Sequence, residues 1–151
     1  MKLSTRSTYG LRALVELGLK GQQGPLSAAD IAKHQSLSVA YLEQLLHRLK
    51  VQGLVFSVRG PKGGYLLAKE PEQITISEIV RVLDGQGALA KEINGKSKDT
   101  QRHAQRIAHA VFRCVHERLV KSLDEVTLKD LCDDVRDPEE ESLEHRYVFH
   151  I

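Results

Sequence analysis

The sequence lacks the features that mark several large classes of protein. Its 151 residues include two cysteines, Cys114 and Cys132, too few for the disulfide framework of a small secreted domain. No apolar run approaches the roughly 20 residues that a membrane-spanning helix needs. The first ten residues, MKLSTRSTYG, carry cations without the apolar segment of a signal peptide. We therefore expect a cytoplasmic protein that has reduced thiols and does not enter a membrane.

Motifs of catalysis are missing as well. The sequence shows no nucleophile–base pair and no metalloprotease motif. The glycine-rich stretch at residues 60–65, GPKGGY, lacks the spacing of a Walker loop and the Ser or Thr that follows its lysine. His109 and His116 would lie about 10 Å apart on a helix, too far to chelate one ion without a third element. The sequence thus predicts a protein that is not an enzyme.

Charge is divided unevenly along the chain. The net charge is +2, but residues 1–69 hold ten Lys and Arg against three Asp and Glu, whereas residues 70–151 hold twelve against seventeen. The first part therefore carries a charge of +7 and the second a charge of −5. Neutralisation of phosphates supplies most of the sequence-independent affinity for nucleic acid. The basic part consequently suits a polyanionic partner, and the acidic part should stay clear of one.

Residues 39–52 have the periodicity of an amphipathic helix, with leucines at i, i+3, i+4 and i+7. These leucines are Leu42, Leu45, Leu46 and Leu49. Small or hydrogen-bonding groups occupy the opposite face, which consists of Ala40, Gln44 and His47, flanked by Tyr41, Glu43 and Arg48. Ser38 is a suitable N-cap, and Gly53 can end the helix in the left-handed conformation. Such a helix fits the major groove of DNA, although a surface helix with a solvated polar face has the same pattern.

A predicted two-stranded ribbon follows this helix. Residues 54–58, LVFSV, and 65–68, YLLA, have the composition of strands, and residues 59–64, RGPKGG, join them. Two cations and three glycines at the tip would let the backbone approach a phosphate or enter a narrow groove. An ordinary hairpin loop can have this composition too. The position directly after a glycine-terminated helix favours the wing of a winged helix-turn-helix domain.

The segments before the helix complete a helix-turn-helix. Residues 4–20 and 28–34 are predicted helices, and residues 35–37 form a short turn into the helix at 39–52. A short helix, a short turn and a longer helix are typical of helix-turn-helix units. We expect His34 and His47 to face solvent or DNA. The predicted fold class is mainly α with a small β-wing.

The second half is predicted to be helical and to form dimers. A short helix at 76–84 leads into a loop, and residues 101–123 form a long helix whose apolar stripe needs a partner helix. A second copy across a two-fold axis would supply one, although packing within the chain remains an alternative. The predicted organisation is a winged helix-turn-helix domain at 1–84, a loop at 85–100, a dimerisation helix and a short helix at 101–135, and an acidic C-terminal tail at 136–151.

Three stretches together resemble the IscR-type, or Rrf family, of bacterial transcription regulators: residues 41–49, YLEQLLHRL, residues 53–55, GLV, and residues 57–67, SVRGPKGGYLL. The resemblance implies a homodimeric repressor on a roughly palindromic operator in double-stranded DNA. The helix at 39–52 would enter the major groove and the wing would enter the minor groove. The residues expected to bind DNA are Ser38, Ala40, Tyr41, Glu43, Gln44, Arg48, Arg59, Pro61, Lys62 and Gly63. Glu43 would act in selection, because a carboxylate repels phosphate and can accept a hydrogen bond from cytosine.

The chain departs from the family pattern at the loop before the long helix. Members of the family that bind an iron–sulfur cluster carry three closely spaced cysteines there, whereas residues 85–100 contain none. Thiolates are the usual ligands of such clusters. We therefore expect no conventional cluster and no metal, with His103 and His109 as the remaining candidate ligands. Cys114 and Cys132 are expected to be buried as small apolar residues, with a redox-sensing thiol as the alternative.

Two alternatives concern how the regulator would be controlled. In one, a metal or a cofactor without thiolate ligands sets its activity through the loop and the histidines. In the other, a protein partner binds the C-terminal half, with the acidic tail as the contact, as in cysteine-metabolism regulators of the family. A small-molecule effector is also open.

Overall fold

A computed structural model describes residues 3–87 and 102–136, apart from some side chains in the first half of the long helix. The described elements are α1 (Thr5–Lys20), α2 (Ala28–Gln35), α3 (Val39–Val51), β1 (Val55–Val58), β2 (Gly64–Leu67), α4 (Ile76–Asp84), α5 (Arg102–Glu125) and α6 (Leu128–Arg136). Short 3₁₀ turns follow α1 at Gly21–Gln23 and precede α4 at Pro71–Gln73. The predicted class, mainly α with a small β-wing, is confirmed. The predicted loop and acidic tail lie almost entirely outside the described residues, and the proposed domain boundaries stay predictions.

Local capping explains where the first four helices begin. Ser4, Ser27, Ser38 and Thr75 each have extended backbone and accept a hydrogen bond from the N–H three residues on. This bond satisfies one of the donors that a helix leaves without an internal partner. These four residues therefore determine where each helix begins and how the preceding loop enters it.

Helices α2 and α3 end with the same backbone geometry. After α3, Gly53 has a φ of 72° and the N–H of Leu54 donates to the carbonyl of Leu49 at 2.9 Å. After α2, Ser36 has a φ of 55° and the N–H of Leu37 donates to the carbonyl of Ala32 at 2.9 Å. Both are Schellman-type ends, in which a left-handed residue turns the chain sharply. The second of them is the turn of the helix-turn-helix.

One hydrophobic core joins the two halves of the described chain. Its members on α1, α3 and α4 include Leu14, Leu17, Leu42, Leu45, Leu46, Leu49, Ile79 and Leu83. Leu123 of α5 and Leu128 and Cys132 of α6 belong to the same cluster. Backbone pairing holds the C-terminal part in place, because the N–H of Ile76 donates to Val126 at 3.0 Å and that of Leu128 to Ile74 at 2.8 Å. α6 therefore packs on the winged helix-turn-helix itself.

The ribbon is an antiparallel hairpin in which Val55 pairs with Leu67 and Val58 with Gly64. A third segment extends it, since Leu26 and Tyr65 exchange backbone hydrogen bonds of 3.1 and 2.8 Å. Gly64 permits this contact, because a Cβ at that position would lie 2.3 Å from the carbonyl oxygen of Leu26. The wing is consequently fixed to the entry of α2.

None of the helices in the two described ranges combines the length and the apolar character needed to cross a bilayer.

Candidate nucleic-acid interface

The outer face of α3 is a continuous exposed stripe. Its four leucines lie at 0 or 1% exposure in the core, so the opposite side must face outwards. The exposed residues along the centre of that side are Ala40, Gln44, His47 and Val51. We call these four residues the α3 stripe. Ser38 and Val39, at its N-terminal end, are exposed too. The stripe offers an amide, an imidazole and small apolar groups, a mixture that can contact base edges.

One flank of α3 is held by other helices. Tyr41 is half-buried, with its ring edge-on to Tyr9 of α1 at 6.2 Å between centroids, and Arg12 lies 5.5 Å from the centre of the Tyr9 ring. Nearer the end of the helix, Nη1 of Arg48 donates to the carbonyl of Leu83 in α4 at 3.3 Å. Both residues were predicted to bind DNA, and in the structure each makes contacts within the chain. Their role at DNA stays a prediction.

The other flank of α3 faces the wing. Nζ of Lys50 donates to the hydroxyl of Ser57 on β1 at 2.6 Å, which ties the last turn of α3 to the ribbon. Glu43 lies exposed on this flank. With both flanks in contact with neighbouring elements, α3 has a fixed orientation, and the α3 stripe is the part left for a partner.

The wing tip presents two cations on a tight turn. Arg59, Pro61 and Lys62 are exposed, and Gly63, which is half-buried, donates its N–H to the carbonyl of Gly60 at 2.9 Å. A Cβ on Gly63 would lie 2.3 Å from the carbonyl oxygen of Val58, so the turn accepts no larger residue without moving. The predicted tip residues therefore share one exposed corner of the hairpin.

A buried carboxylate fixes α2 against α1. Glu16, on the inner side of α1, bonds the ring of His34 and accepts hydrogen bonds from Gln35 at 3.1 Å and Lys20 at 3.2 Å. Burial alone would raise the pKa of Glu16, but the three hydrogen bonds and the charge of His34 outweigh burial and hold the pKa below its ordinary value. The prediction for His34 was incomplete, because its half-exposed ring is anchored in this cluster. Sequence reasoning missed Glu16, although an acidic residue among the apolar positions of α1 was visible.

The two cysteines occupy different environments. Cys114 is exposed on α5, contrary to the expectation that it would be buried, whereas Cys132 is buried, with its Sγ 3.8 Å from the carbonyl oxygen of Val15. Burial raises the pKa of the Cys132 thiol, which disfavours the thiolate. Cys132 therefore behaves as the small apolar residue that was expected.

These residues do not fit a thiolate-ligated iron–sulfur cluster. Such a cluster takes about four ligands, mostly thiolates, and the whole sequence holds two cysteines, one of them buried against α1. Among the side chains that the structure describes, no three of His, Cys, Asp or Glu approach closely enough to hold a metal ion. The side chains of His103 and His109 lie outside the described ones, so their candidacy stays open.

An apolar stripe on α5 faces away from the core. Ile107, Val111 and Val115 follow one another at i, i+4 and i+8 and are 54%, 54% and 43% exposed. Residues at this spacing share one face of a helix. The stripe lies N-terminal to Leu123, the α5 residue that belongs to the core.

Known proteins show the same architecture. The Rrf2 family model, described as an iron-dependent transcriptional regulator, matches residues 3–134. The transcriptional regulator IscR of Cronobacter sakazakii is 38% identical over 131 residues, which are 87% of this chain and 80% of that protein. The structure of CymR, the global cysteine regulator of B. subtilis, aligns with a TM-score of 0.73 and 37% identity over 88% of this chain and 97% of that one.

A second solved structure, IscR of T. potens, aligns with a TM-score of 0.70 and 37% identity, covering 94% of this chain and 91% of the other. These relatives regulate transcription and are not enzymes, which confirms that part of the sequence prediction. Together with the exposed helix, the wing and the family match, they establish the class of this protein. The chain belongs to the Rrf2 family of DNA-binding transcription regulators.

Proposed function

We propose that the chain is a homodimeric repressor that binds a roughly palindromic operator without a thiolate-ligated cluster. The observation that carries this proposal is the α3 stripe, an exposed face on a helix whose two flanks are both fixed within the chain. A helix held in this way can enter the major groove with a defined register. The wing tip, with Arg59 and Lys62, would then lie along the adjacent minor groove.

Within the α3 stripe, Gln44 is the best placed to select a base. It is exposed on the second turn of α3, and an amide can bond both N6 and N7 of adenine in the major groove. Arg59 has a different role, because a cation at the tip of a hairpin neutralises phosphate whatever the sequence. The two residues should therefore contribute to binding in ways that an experiment can separate.

The experiment compares Gln44→Ala and Arg59→Gln on an operator fragment and on unrelated DNA over a range of salt concentrations. Gln44→Ala should lower the affinity for the operator by about 1–3 kcal/mol and leave non-specific binding intact. Arg59→Gln should weaken both and reduce the salt slope by about one. Arg113→Gln, an exposed α5 residue, is the matched control. Unchanged DNA affinity in both variants would show that the groove assignments are wrong.

The dimer rests on the apolar stripe of α5. Three exposed aliphatic residues in a row are costly to leave in water, and a second copy of α5 would cover them. Val111 lies at the middle of the stripe, so Val111→Glu should convert a dimer into a monomer in sedimentation analysis and weaken operator binding by at least tenfold. A monomeric wild-type protein with full operator affinity would contradict this part of the proposal.

Independence from a cluster is supported by the cysteine content of the chain. The family model is described as iron-dependent, but two cysteines, one of them buried, are a poor ligand set for a cluster. We expect anaerobically purified protein to be colourless and to bind its operator fully. Visible absorption with bound iron and sulfide, lost together with operator affinity, would contradict this expectation.

A further inference from the structure

Arg48 connects the DNA-reading helix to the end of α4. Its guanidinium donates to the carbonyl of Leu83, 35 positions further along the chain. Leu83 is in the last turn of α4, where carbonyls lack a partner within the helix and the helix dipole favours a cation. The contact is therefore a helix C-cap that α3 supplies to α4.

The next residue, Asp84, anchors the same helix end to α1. Its carboxylate accepts hydrogen bonds from the hydroxyls of Ser4 at 2.5 Å and Ser7 at 2.7 Å, and Nε of Arg6 lies 3.5 Å away. Ser4 is also the N-cap of α1, whose positive end a carboxylate stabilises. Two consecutive residues of α4 thus hold both α1 and α3.

Packing leaves an open groove beside the ends of α3 and α4. A cavity of about 380 Å³ lies there, and its lining includes Gln52 at the end of α3 together with Arg81 and Gly85 of α4 and its cap. Gly85 has a φ of 94°, a conformation that side chains with a Cβ rarely adopt. The side chain of Leu83 is fully buried and packs against Gly10 of α1. The hydrogen bond of Arg48 therefore joins α3 to a helix end that α1 holds in place.

We infer that Arg48 is a positioning residue that sets the orientation of α3 according to the position of the end of α4, and that it is not a phosphate contact. The inference rests on the proposed function, since the consequence of orientation is operator affinity. A displacement of the end of α4 would move the Leu83 carbonyl, and Arg48 would transmit that movement to the α3 stripe. The helix end thereby becomes a control point for DNA reading.

The first test is Arg48→Gln, measured beside Arg59→Gln and the control Arg113→Gln at a temperature where thermal melting shows each variant fully folded. For Arg48→Gln we expect at least a tenfold loss of operator affinity, with non-specific affinity and the salt slope unchanged. A salt slope lower by about one, as expected for Arg59→Gln, would make Arg48 a phosphate contact and overturn the inference. Unchanged operator affinity would reduce Arg48 to a structural role and overturn it as well.

The second test is a double-mutant cycle with Gly85→Ala, which disturbs the end of α4 without changing a residue assigned to DNA contact. Gly85→Ala alone should lower operator affinity severalfold, and it should have no further effect when Arg48 is already Gln. Independent, additive effects would overturn the inference, and so would an unaffected Gly85→Ala variant. If wild-type protein selects no operator at all, the proposed function fails instead, and that result is distinguishable because it appears before any variant is made.

Discussion

Helices α3 and α5 both carry apolar residues at helical spacing, yet the chain buries one set and exposes the other. The four leucines of α3 are at 0 or 1% exposure, whereas Ile107, Val111 and Val115 of α5 remain about half exposed. Other elements also contact both flanks of α3, through Tyr41, Arg48 and Lys50. The same sequence pattern thus occurs in a helix whose apolar face is buried by its own chain and in a helix whose apolar face is left exposed.

Under the proposed function, this difference in exposure matches two different roles for α3 and α5. A reading helix must present one face in a fixed orientation, so its remaining faces are held within the chain. For the proposed dimer, α5 must do the opposite and keep its apolar face available until a second copy binds. Only its last turns, with Leu123, join the core of the described residues. Folding and association should therefore respond to mutations in different helices.

The largest difference between the two helices is expected in the free energy of unfolding when one apolar residue in each is truncated to alanine. Leu46→Ala removes a fully buried side chain and should lower the free energy of unfolding by about 3 kcal/mol. Val111→Ala removes an exposed one and should change the stability of the single chain by less than about 0.5 kcal/mol. Urea unfolding at several protein concentrations measures both, because association makes the midpoint depend on concentration.

The two variants should also differ in that concentration dependence. Leu46→Ala should shift every midpoint downwards and keep the dependence, whereas Val111→Ala should weaken the dependence itself. If Val111→Ala destabilised the protein by the same amount at all concentrations, α5 would be packed within its own chain. The contrast between the two helices would then be wrong.

The helices were predictable because their signals are local. Ser38 and Gly53, which bound α3, lie next to the turns they form, and the leucine spacing is read within one helix. The predicted strand at 54–58 begins one residue before the observed one, and the predicted strand at 65–68 is displaced by one residue at both ends, since hairpin composition does not set the register. The packing of the C-terminal part on the first part was harder to predict, because the pairing of Ile76 with Val126 joins residues fifty positions apart.

The candidate site was predicted as a face but not as a set of contacts. Helical periodicity places Tyr41 and Arg48 beside Gln44, yet it does not indicate that Tyr9 and Leu83 are their neighbours. The cluster at Glu16 shows the same limit, since its partners His34 and Gln35 are on another helix. Only the tertiary fold decides which polar residues of a face support it and which remain for a ligand.

An intermediate effect on stability is expected at Glu16, which holds α2, the helix that precedes α3, against α1. Glu16→Gln leaves donors of His34, Gln35 and Lys20 without their carboxylate and should cost about 2 kcal/mol at neutral pH. The folded pKa of Glu16 lies below the ordinary value of 4.5. Its stabilising contribution is therefore complete above that value and is lost as the pH falls through the lower folded pKa.

The matched control is Glu117→Gln on α5, where the carboxylate lies 3.8 Å from Arg113 and both side chains are mostly exposed. An exposed pair of this kind contributes less than about 1 kcal/mol. Urea unfolding at neutral pH and at about two pH units below 4.5 should show a wild-type advantage over Glu16→Gln that shrinks in acid. An advantage that grew in acid would mean that the protonated form of Glu16 is the one that holds α2.

The smallest effect concerns glycine at the entry to α3 and within α5. Ser36 has a φ of 55° in the turn between α2 and α3, so Ser36→Gly relieves a strained backbone and should raise the free energy of unfolding by about 0.5 kcal/mol. Ser122→Gly, inside α5, should lower it by about 0.5 kcal/mol, because glycine is the poorer helix former. Thermal unfolding of the two variants beside the wild type measures the opposite signs. Since both changes remove the same side chain, equal signs would show that loss of the serine contacts, rather than backbone conformation, governs stability at the turn.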